Sequence, residues 1–269
     1  MNKNYLKIGL VTLLVGIIYI PTFIWMWERW FAEESYYSHG ILMPLVTIFL
    51  IFFKKDELKS IKSKKNNWGL LLIGLALTMH LVSAWMKVYF TSGFSMILLI
   101  LGLALYFLGT AYFRKLMYPI LFLIFMIPVP MVLIANLSVK LKLFAAHMAA
   151  ILVSKIGIPA IRDGSTIKTA HSYIMVEGPC SGISSLISLL ALGALVAYFM
   201  KANIIKKWTL LVLTIPIAIC ANVFRITLLT SVNEIYGEKF AMGWFHDFSG
   251  FLLFAAALVG LMTAKKVLE

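Results

Sequence analysis

The run WTLLVLTIPIAICANVFRITLLTS, from Trp208 to Ser231, decides what kind of protein this is. It is long enough to cross a bilayer as a helix and carries a single charge, Arg225. Similar apolar runs occupy about 7–27, 39–53, 68–86, 94–113 and 116–134 before it, 180–200 just upstream, and 242–264 after it. Over 269 residues the chain is 62% hydrophobic and 13% charged, which leaves too little polar surface to cover a soluble globule. The expected fold is an all-α polytopic membrane protein, a single integral membrane domain over 1–269 with about eight transmembrane helices.

A formal net charge of +13 would suggest nucleic acid in a soluble protein. Here Lys and Arg cluster in short loops between apolar runs, so the charge reads as topology and contact with anionic membrane lipids, and no nucleic acid is expected. The basic loop Lys54–Asn67 is read as such a topogenic anchor. The first apolar run has no small-residue cleavage site and ends in Trp25-Met26-Trp27, which predicts a retained helix. Placing the N-terminus in the cytoplasm puts most of the 24 Lys and Arg there and most of the 11 Asp and Glu outside, with both termini cytoplasmic.

That orientation depends on the segment 135–179, read as external. Leu137, Leu141, Phe144, Met148 and Ile151 recur at three- and four-residue spacing, and Lys140 and His147 share the other face, which predicts a helix lying in the interface. A spanning helix there would move the start of the sixth run to the cytoplasm. Pro128-Val129-Pro130 ends or kinks the preceding helix. Arg162-Asp163-Gly164 is a turn signal, and Ser165–Ala170 and Ser172–Glu177 predict a small external β-hairpin leading into Cys180.

Three residues are out of place in apolar helices, and the predicted topology brings them to one depth near the outer surface. Cys180 opens the sixth run, where helix N-terminal amides favour a thiolate. Arg225 lies roughly 9 Å below the outer end of its helix, a position that demands a polar cavity or partner. His246 sits in the first turn of the last helix. Singly, each has a plain structural reading: a small buried thiol, an arginine that snorkels or pairs with Glu177, Glu234 or Asp247, an interfacial histidine. Together they supply a nucleophile, an oxyanion and thiolate stabiliser, and a general acid/base for acyl transfer at a peptide carbonyl. Pro179 suits a first helical turn, and Ser181 and Gly182 leave room for substrate. Asn222, on the face of Arg225, could orient the guanidinium or contact the substrate backbone. His39 either lines the substrate entrance or is an interfacial histidine beside Tyr37. Glu177 and Asp247 either keep the surface polar or steer their catalytic neighbours. Cys220 lies deep in an apolar helix and is not expected to take part. No serine elbow, zinc motif or phosphate loop competes, so neither metal nor cofactor is expected.

At these residues the chain resembles the exosortase/archaeosortase family of membrane cysteine transpeptidases. The likeness rests on Glu177-Gly178-Pro179-Cys180-Ser181-Gly182-Ile183, on Asn222-Val223-Phe224-Arg225, on His246 followed by Gly250, and on the early Tyr37-Ser38-His39-Gly40-Ile41-Leu42-Met43-Pro44. Gly178-Pro179 is less usual there than the family's common residues. The resemblance implies an enzyme of the cell membrane with its site on the extracytoplasmic face. Its partners would be exported proteins that carry a C-terminal sorting signal, of the PEP-CTERM kind: a short motif, a transmembrane helix and a basic tail. Cleavage through a Cys180 thioester would be followed by transfer to an amine or another cell-surface acceptor. An intramembrane cysteine endoprotease would use water instead, and a lipid or solute transporter could also carry a buried arginine, though it would have no need of Cys180.

Overall fold

The computed structural model describes residues 3–33, 35–176 and 181–269, with side chains from residue 10 onward except residue 12. The chain packs as two compact units, Met1–Pro130 and Met131–Glu269.

In the first unit, α1 (Lys3–Ile18) passes through Tyr19 into α2 (Ile20–Trp30), where Pro21 falls at the start of the second helix. A 3-10 turn over Ser38–Ile41 leads into α3 (Leu42–Phe53), and α4 (Lys55–Lys59) is a single exposed turn in the basic loop. α5 (Trp68–Trp85) and α6 (Tyr89–Leu108) form a closely packed helical hairpin. α7 (Thr110–Leu121) tightens into a 3-10 segment, Phe122–Met126, before the Pro128-Val129-Pro130 break. Polar side chains inside this unit pair with one another, as an apolar surround requires. Tyr19 bonds Ser95 at 2.9 Å, Thr22 bonds Ser92 at 2.6 Å, and His80 Nδ1 meets the same Ser92 hydroxyl at 2.9 Å.

The second unit begins with α8 (Met131–Lys155) and a three-stranded antiparallel meander, β1 (Ile161–Asp163), β2 (Thr166–Lys168) and β3 (Tyr173–Met175). It continues with α9 (Ile183–Phe199), α10 (Ile204–Tyr236), the short α11 (Glu238–Ala241) and α12 (Trp244–Leu268). α9, α10 and α12 close on one another through Leu186, Leu189, Ala218, Ala221, Leu253 and Ala257. Small residues let α8 approach α10: Ala145, Ala146, Ala149 and Ala150 pack on Val223 and Ile226, together with Ile167 and Val176 from the sheet segment. Outward faces stay apolar and exposed, as at Phe49 and Phe52 on α3, Val212 and Phe224 on α10, and Phe251 and Val259 on α12. Continuous exposed apolar surface of this kind is what lipid covers.

The chain is a multi-pass membrane protein by these features. Among the described residues, five helices are long and apolar enough to cross a membrane: α5, α6, α8, α10 and α12. Ser38–Phe53 and α9 are shorter apolar helices. The structure departs from the sequence-based reading in two places, the run 116–134 and the sheet. The run 116–134 is divided, because the two prolines end α7's continuation and Met131 already belongs to α8. The segment predicted to lie in the interface is helical, as the unbroken 25-residue α8, whose length and apolarity also suit a crossing helix. The predicted hairpin gains a strand, since Ile161–Asp163 pairs with β2 through the turn at Gly164 where only a turn was expected.

Candidate active site

Arg225 is buried, at 8% exposure, on the face of α10 that meets α12. Its Nε donates to Ser249 Oγ at 3.0 Å, and its Nη2 lies 3.1 Å from His246 Nε2 with a longer 3.5 Å contact to the His246 carbonyl. Ser249 Oγ in turn donates to that carbonyl at 2.7 Å. A guanidinium only donates, so His246 Nε2 accepts, and the ring carries its proton on Nδ1. Nδ1 faces Asp247 Oδ1 at 3.4 Å, across an exposed carboxylate. Nη1 of Arg225 has no hydrogen-bond partner among the described residues, so two arms of the guanidinium are anchored and the third can serve an incoming anion.

Helix geometry explains the convergence. Gly243 precedes α12, and the His246 amide bonds the Gly243 carbonyl, so the histidine sits in the first turn. Ser249 follows one turn later, fully buried, on the same face. Asn222 precedes Arg225 by about one turn and is also buried, at 3%. Gly182 adopts φ +82°, and a Cβ there would come within 2.6 Å of Asn222 Nδ2, so both its conformation and its contact require glycine. Ser181 is buried beside it, and its hydroxyl lies 3.4 Å from the Ile183 amide at the start of α9.

Cys180 and Glu177 lie outside the described residues, together with Gly178 and Pro179. The chain on both sides is fixed to α10. Val176 packs with Val223 and Ile226, and Gly182 touches Asn222. Farther upstream, Asn233 Nδ2 donates to the Tyr173 carbonyl at 3.0 Å. The Glu234 carboxylate gathers the turn between β2 and β3, accepting from the Thr169 hydroxyl at 2.6 Å, Ser172 at 3.0 Å and the His171 amide at 3.2 Å, with His171 Nδ1 at 2.8 Å. These bonds, led by those from Thr169 and His171, hold its carboxyl at about 2.

The structure thus brings Arg225, His246 and Asn222 together with Ser181 and Gly182. His39 belongs to the first unit, where its ring stacks near Tyr37 and bonds the backbone of Phe125. Cys220 is exposed on α10 and borders an apolar groove of about 400 Å³ with Phe144, Met148 and Phe224, surroundings without a base or an oxyanion donor. Sequence reasoning missed Ser249, and it considered Glu234 only as an ion-pair partner for Arg225, whereas its carboxylate holds the β2–β3 turn. The first had a faint signal, a serine one turn after His246 in an apolar helix, while the partner of the second is a turn some sixty residues away.

The family model described as transmembrane exosortase (Exosortase_EpsH) matches residues 12–263, nearly the whole chain. No curated protein and no solved structure matches it. The chain belongs to the transmembrane exosortase family.

Proposed function

We propose that this protein is a sorting transpeptidase that cleaves a C-terminal signal of exported membrane-anchored proteins through a thioester on Cys180, with Arg225 and His246 completing the site at the extracytoplasmic surface. The observation that carries this reading is the fixing of both flanks of 177–180 within one turn of Arg225, through Val176 on one side and Gly182 on the other.

In the first half-reaction the Cys180 thiol gives its proton to His246 Nε2. The sulfur attacks the scissile carbonyl carbon, forming C–S while the C=O electrons move to oxygen. Arg225 Nη1, and Nη2 once His246 has let go of it, stabilise the oxyanion. Collapse breaks the C–N bond, and His246 returns the proton to the departing amine. In the second half, an acceptor amine attacks the thioester, loses its proton to His246, and Cys180 leaves as thiolate. Water in place of the amine would make the same site a protease. Asn222 orients the guanidinium or the substrate backbone. The substrates would present a short motif, a transmembrane helix and a basic tail.

The test is to express Cys180→Ala and Cys220→Ala with a tagged candidate substrate, and to trap the acyl-enzyme with hydroxylamine. Processing and the hydroxylamine-labile adduct should vanish with the first variant and persist with the second. Retention of both in a membrane-inserted Cys180→Ala protein would overturn the proposal.

A further inference from the structure

We propose that the basic loop before α5 forms a binding site for a phosphate group, best suited to the headgroup of an anionic phospholipid. The site lies within the first unit and is independent of the reaction proposed above. The loop is not a loose run of charge. Lys64 N bonds the Leu108 carbonyl, Asn66 N bonds that of Tyr106, Ser63 Oγ donates to that of Phe107, and Asn66 Nδ2 donates to Thr110 Oγ1 at 2.8 Å. Gly109 makes this docking possible: at φ +88° it lets the Lys64 carbonyl lie where any Cβ would sit.

The pinned loop and the α6–α7 junction wall a cavity of about 590 Å³ lined by Lys62, Lys64, Lys65, Asn66 and Thr110 and by no carboxylate. The neighbouring acids are engaged elsewhere, Asp56 with Lys59 and Glu57 with Lys115, and among the described residues none of the three cavity lysines is in an ion pair. Three ammonium groups held around one concavity repel each other unless an anion joins them. The Thr110 hydroxyl, which already accepts from Asn66, has its own proton to offer.

Location selects the ligand. Trp68, 70% exposed, begins the apolar helix α5 directly after the loop, and Lys65 Nζ sits 5.8 Å from the Tyr106 ring centre. Such aromatic and lysine side chains at a span's end mark the headgroup level of a membrane, where a phosphodiester is the abundant anion. A free phosphate shares the same chemistry.

The experiment uses the full chain purified in neutral detergent, with dioleoylphosphatidylglycerol or dioleoylphosphatidylcholine titrated and bound lipid read by native mass spectrometry. The variant Lys62→Gln/Lys64→Gln/Lys65→Gln is compared with Lys201→Gln/Lys206→Gln/Lys207→Gln, which removes the same charge from the basic stretch before and at the start of α10. At roughly a factor of five per lysine near an anionic surface, the first should lose about a hundredfold in affinity for the glycerol lipid, and the second no more than about threefold. Ser63→Ala/Asn66→Ala keeps every charge, loosens the walls, and should lose about tenfold. Thermal stabilisation by millimolar inorganic phosphate, absent in the first variant and competing with the lipid, would name free phosphate as the ligand. Equal losses in the two lysine variants, or no preference for the anionic lipid together with no phosphate effect, would overturn the site.

Discussion

Removing one methylene-borne oxygen, in Ser249→Ala, should slow acylation while leaving the fold in place. Ser249 Oγ is the anchor of Arg225 Nε and is itself held by the His246 carbonyl, so it fixes the angle between guanidinium and imidazole. Its loss leaves a buried N–H of a charged group without its 3.0 Å partner. Hydrogen bonds to charged groups contribute about 1.5–3 kcal/mol, which corresponds to roughly ten- to a hundredfold in rate if the guanidinium turns away from the oxyanion. The assay is single-turnover formation of the Cys180 thioester, beside thermal unfolding of the detergent-purified protein. A purely structural serine would lower the unfolding temperature and add its effect in any background. A positioning serine acts through Arg225, so Ser249→Ala in an Arg225→Lys background should cost almost nothing further. Independent, additive losses in the double variant, or unchanged acylation in the single one, would refute the reasoning.

Arg225→Lys should insert and bind substrate but lose on the order of a hundredfold to a thousandfold in acylation, because an ammonium cannot bond Ser249, His246 and an oxyanion at once; single-turnover rates check it. Glu234→Gln should loosen the β2–β3 turn, seen as faster amide exchange over 166–175 with α10 unchanged. Because the folded carboxyl titrates at about 2, below its ordinary 4.5, wild-type protection of that turn should be complete above about pH 4.5 and fade as pH falls toward 2, whereas the glutamine variant should show no such fall. A cysteine at Ser165, in a Cys220→Ala and Cys180→Ala background, should react with an impermeant maleimide added to intact cells; labelling only after permeabilisation would make α8 a span and carry the site to the cytoplasmic side.

Apolar runs were legible because hydropathy alone controls them, and most of their length falls on helices, with 116–134 broken at Pro128-Val129-Pro130. α8 was harder to read. Its three- and four-residue spacing of Leu137, Leu141, Phe144 and Met148 looks amphipathic, yet Ala145, Ala146, Ala149 and Ala150 are what the fold buries. Alanines carry little weight in a hydrophobic pattern but permit the closest helix approach, so packing on α10 outweighs the apparent polar face. The pairing of Arg225 with His246 was foreseeable from their equal depth. Ser249 was not, since a serine's role depends on which neighbour it faces. Glu234, considered from sequence as an ion-pair partner for Arg225, instead serves the β2–β3 turn, which no local pattern reveals.

The contact between Arg225 and His246 also bears on how the proposed site would keep its protons in order. With Nη2 donating to Nε2, the imidazole must be neutral, because two donors cannot share a hydrogen bond and two cations at 3.1 Å repel. In the proposed reaction, His246 would therefore have to turn from Arg225 to take the Cys180 proton. The same event that creates a thiolate then releases a guanidinium arm to stabilise it, and the imidazolium is left free to face the leaving amine. Return of that proton restores the resting contact. Ser249 keeps Nε fixed throughout, so the arginine pivots without leaving the site. In a low-dielectric surround an unpaired thiolate would be costly, and this exchange of partners would give it a cation as it forms.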